Sequence, residues 1–278
     1  MATQIGATEK DTREFQTIKV EVEGALGRLI LNRPERLNAI GATMLLELAE
    51  AARWFDRHRE LRVVIVSGAG RAFSAGADLR DSPMGAVNAD HSWLYRREVG
   101  QSGLRAADAL EQMHAVTIAQ VQGYAVGGGL VLMALCDLRV AADDAVFFIP
   151  EIDLGVPLAW GGIPRLVREI GPALTKELVM TCRRFTPAEA KAAGFLNRVV
   201  PADQLEREVN QLAAQLLAKP SVPVIITKEH VNAVTRVMSA GITSFADGDA
   251  LLGSIGEAES RQAARNYTKK ALGAEREL

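Results

Sequence analysis

AVTIAQVQGYAVGGGLVLMALC, residues 115–136, carries no charged side chain and is long enough to cross a bilayer. Its four glycines, Gly123, Gly127, Gly128 and Gly129, argue against a span. Glycine lets the backbone turn sharply and weakens a helix interior. The stretch therefore divides into a strand over 116–121, a glycine turn, and a short apolar helix over 130–135. Strands alternating with helices imply an α/β fold with helices packed outside a mainly parallel or mixed sheet, and no membrane segment is expected.

The same pattern extends in both directions. Ile18, Val20 and Val22 alternate with polar residues, as in a half-buried strand, and residues 28–31 return as a second strand after Gly24 and Gly27. Leu45, Leu48, Ala52 and Phe55 recur at helical spacing and predict a helix over 43–58. Residues 61–66 are largely β-branched and read as a buried strand. A helix-compatible segment over 90–113 precedes the opening stretch. Downstream come a strand over 138–142 and helices over 163–170 and 173–182. Thr186-Pro-Ala-Glu189 has the form of a helix start, with Gly194 placed to end that helix. A final strand is expected over 195–200. Beyond Pro201 the chain reads as helices, one carrying Leu205, Val209, Leu212 and Leu216, the others over 221–239 and 257–272. The expected organisation is a flexible lead-in over 1–16, a strand-and-helix core over 17–205 and a helical region over 206–278. That last region has apolar faces but no core of its own, so it must pack on the body of the chain or on a second subunit.

A chain of 278 residues, 48% of them hydrophobic, can bury a large core without disulfides or a structural metal. Its formal net charge of -2 implies no basic face, so nucleic acid is not an expected partner. The two cysteines, Cys136 and Cys182, are not paired in sequence and read as buried free thiols, consistent with a reducing compartment such as the cytoplasm. The four histidines lie in unrelated contexts, and no metal site is expected.

Three short segments can carry chemistry. Phe73-Ser-Ala-Gly-Ala-Asp-Leu79 follows a buried strand. It is either a turn capped by Asp78 or a loop of small residues that aims a backbone N–H into a pocket. Gly123-Tyr-Ala-Val-Gly-Gly-Gly129 ends at a helix N-terminus. Free amides and the helix dipole there suit an oxyanion or a phosphate, and tight helix packing is the other explanation of the glycines. Glu151 lies in Phe147-Phe-Ile-Pro-Glu-Ile-Asp-Leu-Gly155. It is either a carboxylate held among apolar groups for proton transfer or an ordinary capping or surface glutamate.

In this order and spacing, FSAGADL, GYAVGGG and PEIDLG resemble the successive signatures of the enoyl-CoA hydratase/isomerase (crotonase) family. NRPERLNAI over 32–40, GGIPRLVREIG over 161–171 and TPAEAKAAGFLNRVV over 186–200 match it too, so the resemblance covers about residues 17–205. It implies a spiral of repeated ββα units, with the C-terminal helices mediating a homotrimer or a dimer of trimers. It also implies an acyl-CoA thioester as substrate, with coenzyme A carried by the substrate and no separate cofactor. The N–H groups of Ala77 and Gly128 would form an oxyanion hole for the thioester carbonyl, and Glu151 would be the acid/base. Glu35, Arg36, Leu37, Ala75, Asp78 and Leu79 would line the coenzyme A channel, and Arg80 would face its phosphates. Tyr124, Val131 and Trp160 would border the acyl pocket.

One departure from the pattern matters. The family's hydratases carry a second glutamate where this chain has Val131. A valine neither holds a water molecule nor moves a proton. A single base suffices for a proton shift from C2 to C4 of a 3-enoyl-CoA, so a Δ3-Δ2-enoyl-CoA isomerase is the favoured expectation. A trans-2-enoyl-CoA hydratase is the alternative, with Asp153 a candidate second acid if residues 151–153 are extended, although a structural role is the favoured reading of Asp153. A non-catalytic acyl-CoA-binding protein is the reading of another class. Trp160 either narrows the acyl pocket or packs as an ordinary aromatic.

Overall fold

The computed structural model describes residues 10–81, 90–238 and 246–274. In chain order, β1 (Lys10–Glu14), β2 (Ile18–Glu23) and β3 (Leu26–Leu31) form an antiparallel meander, followed by α1 (Ala42–Phe55) and β4 (Val63–Gly68). Next come α2 (Trp93–Gly100), α3 (Ser102–Glu111), β5 (Val116–Val121), β6 (Tyr124–Val126), α4 (Gly128–Ala134), β7 (Leu138–Ala142) and β8 (Val146–Phe148). The order continues with α5 (Gly162–Thr181), α6 (Pro187–Ala192) and β9 (Arg198–Val200). Four helices close it: α7 (Leu205–Leu217), α8 (Ser221–Met238), α9 (Asp247–Gly256) and α10 (Ala258–Ala274).

Seven strands form one sheet in the order β1-β2-β3-β4-β5-β7-β9, parallel from β3 onward, and β6 pairs with β8 in a separate parallel pair. The central strands are buried on both faces, which explains their near-continuous apolar runs. Successive residues serve opposite layers. Val64 and Val66 pack in the cluster that contains Leu48 and Phe55 of α1, while Val63 and Ile65 meet Leu205, Val209 and Leu212 of α7. One part of the helical region thus covers the sheet of its own chain. Its other helices are tied in by polar contacts: Lys228 Nζ donates to the Ala115 carbonyl at 2.6 Å and pairs with Asp137 at 2.8 Å, and Arg97 of α2 pairs with Asp249 of α9 at 2.9 Å. Asp137 also accepts from Thr117 N–H at 2.7 Å, which offsets its unfavourable place just after α4.

Several expectations are corrected here. Part of the expected flexible lead-in, residues 10–14, forms β1, in register Lys10↔Glu23 to Glu14↔Lys19. Backbone pairing needs no apolar side chains, and a charged strand is well suited to an exposed sheet edge. Residues 1–9 lie outside the described residues. The final strand is only Arg198–Val200, because Phe195 and Leu196 turn into the core. The helices expected over 163–170 and 173–182 do form, as two segments of α5 that meet at a kink where Gly171 leaves helical geometry (φ 76°, ψ 165°), and residue 239 of the expected helix over 221–239 lies outside the described residues. Cys136 is buried as expected, but Cys182 is only half-buried. The Thr186 cap forms, its side chain accepting from Glu189 N–H at 3.1 Å. Among the described residues no helix is long and apolar enough to cross a membrane.

Candidate active site

The loop after β4 is bonded on both sides. Ser74 N–H donates to the Tyr124 carbonyl at 2.9 Å and the Ser74 carbonyl accepts from Val126 N–H at 3.1 Å, which fastens the loop to β6. On the other side Ala75 N–H donates to Leu37 at 2.9 Å, Ile40 N–H donates to Gly76 at 2.8 Å, and Asp78 N–H donates to Ile40 at 2.9 Å. Gly76 N–H finds the Ser74 hydroxyl at 3.2 Å. Among these consecutive amides, that of Ala77 alone has no acceptor among the described residues. Gly76 permits this course. Its φ is +88°, and a Cβ there would press on the Val126 carbonyl at 2.5 Å.

The same hypothetical Cβ would lie 3.5 Å from Gly128 N, so the two small-residue loops converge. Gly128 opens α4, where an N-terminal amide has no intrahelical acceptor. Gly127 before it has φ 48°, and its N–H donates to the Phe148 carbonyl at 3.0 Å. A Cβ at Gly127 would collide with Oε1 of Glu151, and one at Gly128 with the Trp160 ring. Both glycines are therefore required by close approach, and Gly127 by its positive φ as well.

Glu151 sits in a turn just after β8. Its Oε2 is buried with no hydrogen-bond partner among the described residues. Burial pushes its pKa up to about 7, because no cation offsets the loss of solvent around the carboxylate. That value suits a group that takes and returns protons near neutrality.

Ala77, Gly128, Val131, Glu151 and Trp160 all line one cavity of about 290 Å3. The remainder of its wall is largely apolar and includes Leu251 and Ile255 of α9 and Ala264 of α10. Among the described residues, Glu151 is the sole acid in that lining. Two amides without an acceptor among the described residues, one desolvated carboxylate and an apolar chamber are an arrangement able to stabilise negative charge on an oxygen while a proton leaves a neighbouring atom.

The sequence profile of the enoyl-CoA hydratase/isomerase family matches residues 21–271. The chain belongs to that family. It is 35% identical over 227 residues to a probable mitochondrial enoyl-CoA hydratase of Dictyostelium discoideum, covering 80% of this chain and 77% of the relative. It is 33% identical over 237 residues to a crotonyl-CoA hydratase of Syntrophomonas wolfei, covering 83% and 89%. The crystal structure of an enoyl-CoA hydratase/isomerase from Mycobacterium paratuberculosis superposes with a TM-score of 0.82 at 27% identity, over 91% of this chain and 98% of that one. The fold is accordingly the crotonase fold, α/β with a central sheet and C-terminal helices.

Other residues singled out in this family member fall in different places. Leu79 lines the cavity. Asp78 is buried beneath it, taking Arg33 at 2.8 Å, Arg36 at 2.9 Å and Arg80 N–H at 2.9 Å. Burial alone would raise the Asp78 pKa, but the Arg80 amide and the two guanidinium groups outweigh it and the pKa is lowered. Arg36 thus braces the loop through Asp78. Leu37 (φ 48°) accepts from Ala75, while Glu35 and Arg80 are exposed on the surface. The Tyr124 side chain is exposed and absent from the cavity wall, and it is the Tyr124 carbonyl that holds the loop. Asp153 needs correction. Residues 151–155 form a turn, with Leu154 N–H donating to Pro150 at 3.0 Å and Val156 N–H to Glu151 at 2.9 Å, so no extended segment aligns Asp153 with Glu151. Asp153 is exposed and lies outside the cavity.

Sequence reasoning missed three supporting residues. Asn38 is buried with φ 56°; its side-chain N–H groups donate to Ala69 and Ala72 at 2.9 and 2.8 Å, tying the two loops together. An asparagine in a turn tolerates that conformation, and this was the one available signal. Asp247 accepts from Gly161 N–H at 2.7 Å, and Arg165 donates to the Trp160 and Gly161 carbonyls at 3.3 and 3.1 Å. No local pattern announces the Asp247 contact, because it joins segments 86 residues apart in sequence.

Proposed function

We propose that this family member moves a proton at the carbon beside an acyl-CoA thioester carbonyl. The N–H groups of Ala77 and Gly128 hold the carbonyl oxygen as it gains charge, and Glu151 carries the proton. The observation that carries the reading is Glu151 itself, the single acid in the cavity wall, unpaired and with its pKa raised. With Val131 on the same wall, one base is available. Its simplest reaction is Δ3-Δ2-enoyl-CoA isomerisation: Glu151 takes a proton from C2, the double bond moves, and the proton returns to C4. Coenzyme A arrives with the substrate, and no separate cofactor is needed. Assembly as a homotrimer or a dimer of trimers belongs to the same proposal, supported by the exposed apolar side chains Val222, Val234 and Val237 along α8.

Hydration of a trans-2-enoyl-CoA is the second reading, favoured by the names of the curated relatives. It requires Glu151 to activate water without a second carboxylate. Mass spectrometry of purified protein incubated with 3-enoyl-CoA and with trans-2-enoyl-CoA separates the two. Isomerisation leaves the mass unchanged, whereas hydration adds one water. Fast hydration and slow isomerisation would reverse the order of the readings. Binding without turnover across an acyl-CoA panel would replace both with a non-catalytic binding role.

A further inference from the structure

Trp160 has φ +59°, a conformation that bulky residues rarely adopt. It is held there from both sides of the peptide it shares with Gly161: Arg165 donates to the Trp160 carbonyl at 3.3 Å, and Asp247 accepts Gly161 N–H at 2.7 Å. The strain is sustained by the surrounding structure, as at sites where a side chain must be aimed. The indole lies in a slot between two helices. A Cβ at Gly103 of α3 would strike its five-membered ring, and a Cβ at Gly128 of α4 would strike its six-membered ring. Neither glycine has a positive φ, so it is the space taken by the indole that requires them.

The slot separates two cavities. On one side is the active-site chamber of about 290 Å3, with Ala77 and Glu151 in its wall. On the other is a small void of about 10 Å3, walled by Ile40, Leu45, Ala106, Ala107 and Leu110 of the apolar core. Gly128, Val131 and Trp160 belong to both walls. A thioester whose oxygen is held at Gly128 has its carbonyl beside the indole. The polar coenzyme A must leave toward solvent, and the acyl tail toward the apolar interior.

We infer that Trp160 is the end wall of the acyl pocket and restricts this enzyme to short acyl chains. The inference rests on the acyl-CoA reading above. Removing the indole joins the chamber to the void beyond it and makes room for a longer tail between α1, α3 and α4.

The test is calorimetric binding of saturated acyl-CoA thioesters from butanoyl to hexadecanoyl, which requires no turnover, repeated with Trp160→Ala and Trp160→Phe. The native protein is expected to lose affinity once the chain outgrows the chamber. Trp160→Ala should move that limit to longer chains, gaining about fourfold per additional methylene accommodated. Trp160→Phe should move it less, which keeps the test decisive if the alanine variant fails to fold. Refilling the void with Ala106→Leu in the Trp160→Ala background should restore the short-chain limit. A native protein that binds hexadecanoyl-CoA as tightly as butanoyl-CoA, or variants with an unchanged chain-length profile, overturns the assignment of Trp160. Failure of every acyl-CoA to bind the native protein would instead overturn the acyl-CoA reading itself.

Discussion

Glu111 and Glu151 are the same residue type, both shielded from water, and their protonation is driven in opposite directions. Glu111, at the end of α3, faces Arg165 at 2.8 Å and Arg168 at 2.8 Å. Burial pushes its pKa up, but the two guanidinium groups outweigh burial and the net shift is downward. Glu151 also loses solvent around its carboxylate, with no cation to oppose the effect, and its pKa rises to about 7. Burial alone therefore does not decide what a carboxylate does. The paired one anchors α5, through Arg165 and Arg168, to the body of the molecule. The unpaired one is left with a protonation state that changes near neutral pH, which is useful for chemistry and unhelpful for stability.

The largest way to break the contrast is to remove the titrating proton. Glu151→Gln keeps the shape of the side chain and should lower kcat by about 10²–10⁴-fold in a coupled acyl-CoA assay, with acyl-CoA binding retained. Full activity in that variant removes Glu151 from the mechanism. Next, Arg165→Ala leaves Glu111 buried with half its compensation and frees the Trp160 carbonyl. It should cost about 3–5 kcal/mol in urea denaturation. A cost near zero would mean that the α5 ion network carries no weight in the fold.

The finest distinction is in pH dependence. A carboxylate whose folded pKa is raised contributes stability below the unfolded value of 4.5 and loses it as pH rises toward 7. Glu151→Gln should therefore be more stable than the native protein at pH 8, by at most roughly 3 kcal/mol, and equally stable at pH 4. Glu111, with its pKa lowered, behaves in reverse: its contribution is present above 4.5 and disappears as pH falls through its folded value. Thermal melts of Glu151→Gln and Glu111→Gln should thus both diverge from the native curve as pH rises, in opposite directions: Glu151→Gln upward and Glu111→Gln downward. If the two divergences have the same sign, the environments of the two carboxylates are not as different as their contacts imply.

Much of the frame was legible in the chain. The alternation of Ile18, Val20 and Val22, the helical spacing of Leu45, Leu48 and Ala52, and the Thr186 cap are local patterns that tertiary packing reinforces. β1 was not legible, because its five residues are charged or polar and form a strand only by pairing with β2. The turn at 151–155 was not legible either, and the idea that Asp153 shares a face with Glu151 depended on an extended chain there.

The sequence by itself determined where most of the strands and helices lie, which loops are built from small residues, and that one acid stands near them. Those properties depend on neighbours within a few residues, whose spacing is written directly in the chain. Tertiary structure alone decided that Ala77 and Gly128 reach one cavity, that Glu151 has no cation beside it while Glu111 has two, and that α9 and α10 help to enclose the site. The protonation of a buried carboxylate depends on every charge and every water molecule within a few ångströms. In a folded chain those neighbours come from segments far apart in sequence.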